Sequence, residues 1–342
     1  MDTPQADLYS DCAHPEAQIA SSPFPSQSGS SESTLLPSSD VTLGAPGIAV
    51  VSTHHLHSLR PAVAVAIGVV LAVLVGSVGS AHASWKHFAG LFRFDAANSL
   101  GATDLHELDQ LTPQQQAEAL LELAGGNTDG ALEQISQRLD NWRGKISWDA
   151  EFAAQAASAL NSNNLHVRAA GIEVELVAYG LQKNSSTVDA LLKDAASADH
   201  ARKVWALWAL GLLANRGVEP ERVTQILTAH LSDSDEDSRR WSVDSLALVG
   251  TTPTIEIFLR TLHDDPSPSV RERAACSLAE SGMLTQEQRA TAVPQLLIFS
   301  ADPTLDSQTH AWTFQALGDI THQRLPNDAT AWRTWYTASN LN

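Results

Sequence analysis

The sequence predicts an all-α protein, a solenoid of stacked helical hairpins preceded by a disordered tail and one transmembrane helix. Three observations carry that expectation. A short motif beginning near residue 202 recurs at intervals of 32–39 residues to the end of the chain. From Ser84 onward the apolar positions follow a helical period, with no sustained alternation of the kind that marks a strand. Ahead of the repeats, no charge occurs between Arg60 and Lys86.

Residues 1–59 contain no Lys or Arg and six acidic residues. Nine of the nineteen positions from Ser21 to Ser39 are Ser, interrupted by Pro23, Pro25 and Pro37. Such a stretch cannot bury enough apolar surface to offset the entropy of ordering it, so it reads as a disordered tail. Pro61 to Ser80 then reads PAVAVAIGVVLAVLVGSVGS. Twenty residues at about 1.5 Å each match a hydrocarbon core of about 30 Å, and 61–82 is therefore expected to be a transmembrane helix or signal anchor. Ala81-His82-Ala83 before Ser84 resembles a signal-peptide cleavage site. The distance from the start and the missing basic n-region favour an uncleaved anchor, unless translation starts at a codon such as Val50. Arg60 on one side against Lys86 and Arg93 on the other leaves the positive-inside rule nearly silent. The cleavage-like pattern favours an exported C-terminal domain.

Residues 84–160 form an N-terminal helical region. Thr112-Pro113 places a cap and a first-turn proline before PQQQAEALLELA, whose Ala117, Leu120, Leu121 and Ala124 share one helical face. Two more helices are expected over Asp129–Trp142 and Trp148–Leu160. Residues 161–342 are expected to hold the repeats and a C-terminal cap. RKVWALWALG, SRRWSVDSLA, VRERAACSLA and THAWTFQALG superimpose, with Lys203, Arg239, Arg271 and His310 at the shared basic position. Three residues later each copy has a small side chain, and seven residues later a Leu: Leu210, Leu246, Leu278 and Leu317. These positions should face the core. A more divergent copy contains Arg168, and Asp233 and Asp265 each stand six residues before the Arg of their copy, where they can accept backbone N–H groups. Companion helices precede the later copies, as in PERVTQILTAHL and TPTIEIFLRTLH. Trp332, Trp335 and Tyr336 suit a terminal cap.

DDPSPSVRERAACSLAESG resembles the HEAT-repeat signature, and within it the phycocyanobilin-lyase-like subgroup. Taken whole, the chain is similar to bacterial HEAT repeat domain-containing proteins with one N-terminal membrane span. The resemblance implies a HEAT-like α-solenoid. It implies a scaffold for a protein partner more strongly than an enzyme, because a fold does not fix a function.

Two positions beyond each basic anchor stand Trp205, Trp241, Arg273 and Trp312. In a stack held in register they lie side by side, about 85° from the buried centre of each helix. Two readings of this row remain open. It can bind a partner through aromatic and Arg anchors, or seal the seams between repeats, with cation–π contact along it.

The formal charge, 21 − 39 = −18, with five Lys, argues against nucleic acid as a partner, since phosphate binders cluster basic residues. Cys12 and Cys276 flank the apolar segment, so no bridge between them is expected, and Cys276 reads as a small core residue. No metal site is expected: His54, His55 and His57 lack acidic or Cys partners nearby, and His106-Glu107 stands alone where a di-iron hydroxylase of this fold would repeat the pair. The acidic run Asp233, Asp235, Glu236 and Asp237 lacks the glycine and final Glu of an EF-hand loop. With no phosphate loop, GxSxG or HExxH, no catalytic residue and no cofactor are expected. The alternative is a bilin-lyase-like or hydroxylase-like enzyme whose site the sequence does not locate.

Overall fold

The structure, a computed structural model, describes residues 99–339. The tail at 1–59 and the span at 61–82 lie outside the described residues. Among the described residues no helix is long and apolar enough to cross a membrane.

Five helices form the first part: α1 (Ala102–Asp109), α2 (Pro113–Gly125), α3 (Ala131–Trp142), α4 (Ala150–Leu160) and α5 (Leu165–Ala178). Helix α2 starts where the sequence places it. The Thr112 hydroxyl accepts from the Gln115 backbone N–H while the Gln115 side chain accepts from the Thr112 N–H, a reciprocal capping box. Helix α3 begins later than expected because Gly130 takes a left-handed conformation, φ 88°, that a helix cannot continue through. Helix α4 also starts two residues late, at Ala150, capped by Asp149, whose carboxylate accepts from the Phe152 N–H at 2.9 Å. Helix α1 falls in the region expected to be helical and buries only Leu108. A polar link ties it in, since the Trp142 indole donates to Gln116 at 2.9 Å and Gln116 donates to the Leu108 carbonyl at 3.1 Å.

Four hairpins follow: α6 (Ser185–Ala195) with α7 (His200–Asn215), α8 (Pro220–His230) with α9 (Glu236–Val249), α10 (Pro253–Asp264) with α11 (Pro268–Ala279), and α13 (Val293–Phe299) with α14 (Ser307–Thr321). A short α12 (Gln286–Ala290) sits between the third and fourth, and α15 (Ala329–Ser339) packs on α13. The second helices stack, α7 on α9, α9 on α11 and α11 on α14, and each first helix packs on its own partner. No strand occurs among the described residues, so the described chain is all-helical.

The expected core positions are all buried. Ala206, Ser242, Ala274 and Thr313 are fully covered, and so are Leu210, Leu246, Leu278 and Leu317. Each such Leu stabilises the stack by roughly 2 kcal/mol relative to an exposed one. The small positions allow close approach. A Cβ added to Gly211 on α7 would come within 2.7 Å of the Ser245 carbonyl oxygen on α9. Ser242 and Ser245 turn their hydroxyls onto the Ser238 and Trp241 carbonyls of their own helix, so these buried polar groups are satisfied.

A ladder of charges joins consecutive hairpins. Lys203 reaches Asp233 at 3.2 Å, Arg239 forks onto both oxygens of Asp265 at 2.9 and 3.2 Å, and Arg271 reaches Asp306 at 2.8 Å. Each basic residue therefore bonds the acidic residue in the turn of the next hairpin. The guanidinium also holds its own turn, Arg239 through the Asp233 and Ser234 carbonyls and Arg271 through those of Asp265 and Pro266. Asp233 and Asp265 do accept backbone N–H groups as expected, from Asp235 at 3.0 Å and Ser267 at 2.8 Å. The helix caps themselves are Asp199, Asp235 and Asp306, each four residues before its basic anchor. At the start of α5, Arg168 repeats part of this pattern on the Ser162 carbonyl and also donates to the Gly282 carbonyl beyond α11.

Candidate partner-binding surface

The four residues of the expected row have different environments. Trp241, Arg273 and Trp312 are buried, at 5%, 6% and 7% exposure, while Trp205 is half-buried. Among the described residues the three Trp side chains make no ring contact with one another. Helical positions in register bring the Cα atoms into a row, but the rings turn to different neighbours.

Trp241 on α9 lies under its chain neighbour Arg240, whose guanidinium carbon is 5.5 Å from the ring centroid. The cation–π contact expected from Arg273 is thus made by Arg240. Arg273 on α11 points instead to Asp244 on α9, with Nε at 2.9 Å and the terminal nitrogen at 2.5 Å from Oδ1. Both side chains are almost wholly removed from water, 7% and 0% exposed. A buried pair of this kind adds little net stability but penalises any register that leaves one charge unmatched. The sequence carried a signal for it. Asp244 is an acidic residue inside the otherwise small and apolar run SVDSLALV, one repeat before an Arg at an equally buried position.

Trp312 on α14 lines a narrow crevice of about 10 Å³ together with Cys276, Gln315 and Asp319. Asp319 has a buried oxygen, Oδ2, without a hydrogen-bond partner. Burial, helped by the Glu280 carboxylate, pushes its pKa up to about 6. Cys276 is buried as expected but is disulfide-bonded, which corrects the expectation of an unbridged thiol; its partner lies outside the described residues. The expectation rested on the apolar segment separating the two cysteines.

Trp205 belongs to an aromatic cluster that the repeat comparison did not reveal. Tyr179, the residue that ends α5, stacks 5.1 Å from Trp148 and meets Trp205 and Trp208 edge-on at 6.3 and 5.9 Å. Trp148 meets Phe152 of α4 at 5.6 Å, also edge-on. Trp208 and Phe152 are buried, whereas Trp148, Tyr179 and Trp205 are each part-exposed. Three residues from three segments thus present one aromatic surface where the first helices meet the hairpins. Glu173 and Glu175 of α5 are both buried. Glu173 accepts from Lys183 at 3.0 Å and Arg216 at 2.8 Å, which ties α5 to the end of α7.

A larger cavity of about 190 Å³ opens at the N-terminal ends of α3 and α5, lined by Asn127, Asp129, Glu133 and His166 among others. Among the described residues no three His, Cys, Asp or Glu side chains converge as a metal site would require. His106 and Glu107 are both exposed on α1. The acidic run at 233–237 is used locally: Asp235 caps α9, Asp233 takes Lys203, and Asp237 lies 3.7 Å from Arg240.

No curated protein matches this sequence. Residues 188–279, from α6 to the end of α11, match the family of HEAT repeats, to which this stretch of helical hairpins is similar.

Proposed function

We propose that the protein is a non-catalytic HEAT-repeat scaffold that binds a protein partner through the part-exposed aromatic surface of Trp148, Tyr179 and Trp205. The observation that carries this reading is that surface itself, three part-exposed rings brought together from three segments and braced by buried Phe152 and Trp208. Large rings fixed by their neighbours lose little entropy on docking, and Trp and Tyr are the residues on which interface energies concentrate. Trp241, Arg273 and Trp312 support the surface by holding successive hairpins in register. The acidic balance of residues 84–342, 20 − 33 = −13, favours a partner with a basic rim and disfavours nucleic acid.

In this reading residues 61–82 hold the scaffold at a membrane with the hairpins exported. Protease protection on intact cells, read with tags on both flanks of 61–82, tests the arrangement. Digestion of the C-terminal tag alone supports a crossing with the hairpins outside. Digestion of both tags places the two flanks on one side, as a Cys12–Cys276 bridge within one chain would require, and the single crossing falls.

The partner claim is tested with a photo-crosslinking amino acid at position 205 of the full-length chain, expressed in the native host. A discrete protein adduct that forms at 205 and not at exposed Arg260 of α10 supports it. Equal labelling at both positions contradicts it. The enzymatic alternative, a bilin-lyase-like or hydroxylase-like activity, would show as stoichiometric iron or a bound chromophore in the purified protein.

A further inference from the structure

Two histidines sit between carboxylates at junctions of the stack, and at His263 both ring nitrogens are hydrogen-bonded. His263, near the end of α10, has Nδ1 2.5 Å from Asp264 and Nε2 3.2 Å from Asp302, which lies in the turn between α13 and α14. Its ring tilts against Phe299 of α13 at 4.9 Å. His200, at the start of α7, has Nδ1 3.2 Å from Asp235 and Nε2 3.4 Å from Asp237, both at the start of α9.

A neutral imidazole has one N–H and one lone pair, so it can donate to only one carboxylate and must turn its lone pair toward the other. Only the imidazolium donates to two. We infer that His263 is a pH-operated clamp between the third and fourth hairpins, closed as the imidazolium and released from Asp302 when it deprotonates.

The charged surroundings favour the closed form at His263. From its own helix it faces Asp264, and from the following turn Asp302. Asp302 is fixed by Thr304, whose hydroxyl and backbone N–H both donate to Oδ1, and it stays ionised with its pKa lowered to about 2. His310 of α14 donates to the Asp302 backbone carbonyl at 2.9 Å and so steadies the turn without neutralising the carboxylate. The hydrogen bond to Asp264 does most to raise the pKa of His263 above its ordinary value; burial opposes it, and the hydrogen bond to Asp302 adds a smaller rise. A raised folded pKa means that the clamp contributes fully below the unfolded value, about 6.5, and is lost as pH rises through the folded one. At His200 the same carboxylates are shared, Asp237 with Arg240 and Asp235 with the nearby Lys203. His230 is the contrast. It lies 3.7 Å from Asp233, which also takes Lys203, and burial first of all lowers its pKa, which disfavours the imidazolium that a clamp needs.

The full-length chain in detergent allows a direct test. Acylation of His263 by diethyl pyrocarbonate, followed by peptide mass spectrometry across pH 5 to 9, reads its protonation without any substitution. The expected midpoint lies above that of a free histidine; a midpoint at or below it overturns the clamp. Native-state hydrogen exchange, corrected for intrinsic rates, then reads the junction. Between pH 5.5 and 8.5 the amides around 262–266 and 300–306 should open more readily in the parent chain as His263 loses its proton. In His263→Gln and in Asp302→Asn that change should be absent. The same pH response in parent and variants would overturn the inference.

Discussion

At the scale of single residues, the charges that matter are those the stack has removed from water. Arg239 and Asp265 are 9% and 4% exposed and share two hydrogen bonds across a hairpin junction. Removing either partner leaves the other buried and unmatched, so Arg239→Ala or Asp265→Ala should each cost about 3 kcal/mol in urea unfolding. The double variant should cost clearly less than the sum of the two. Asp319 acts in the opposite sense. Its folded pKa of about 6 lies above the ordinary carboxylate value, so ionising it weakens the folded state. The penalty is absent below about pH 4, grows as pH rises toward 6 and is complete above it. Asp319→Asn should therefore raise the melting temperature at pH 8 and leave it nearly unchanged at pH 4.

At the scale of elements, helix starts and close approaches were legible to different degrees. Thr112-Pro113, the companion helices and the four Leu positions could be read directly, because caps and periodicity are local signals. Two features depended on partners far away in sequence. Asp233 and Asp265 were recognised as turn residues, but their bonds to the preceding hairpin's basic residue appear only once the hairpins stack. Trp148, Tyr179 and Trp205 come from three segments of different pattern, so no repeat comparison could gather them. Gly211 belongs to the same class. Its lack of a side chain matters only because the Ser245 backbone of α9 lies against it. Gly211→Ala should push α7 from α9 and cost about 1–3 kcal/mol, measurable by denaturant unfolding. The same change at exposed Gly217, where a side chain would meet no clash, tests only the left-handed backbone there, φ 81°.

At the scale of the molecule, the stack behaves as a line of hairpins joined by nearest-neighbour contacts. Ending the chain after Gly282 removes α14 from α11 and uncovers the face on which Ala275, Cys276 and Ala279 lie. The truncated protein should aggregate or self-associate on size-exclusion chromatography, whereas a soluble monomer would show that the fourth hairpin and α15 do not close the stack. Architecture was legible in the sequence because repetition reports it several times over. The binding surface was only partly legible, since exposure is decided by which neighbours cover a side chain, and three of the four expected residues proved to be covered. Trp205 and Trp241 occupy equivalent positions in successive repeats yet differ in exposure, which separates support from docking. The most direct test compares Trp205→Ala with Trp241→Ala in the full-length chain, measuring melting temperature and crosslinking of the partner from a nearby exposed position, Arg202. The account expects Trp205→Ala to lose the adduct with little change in melting temperature, and Trp241→Ala to lower the melting temperature steeply. An adduct that survives Trp205→Ala undiminished would contradict it.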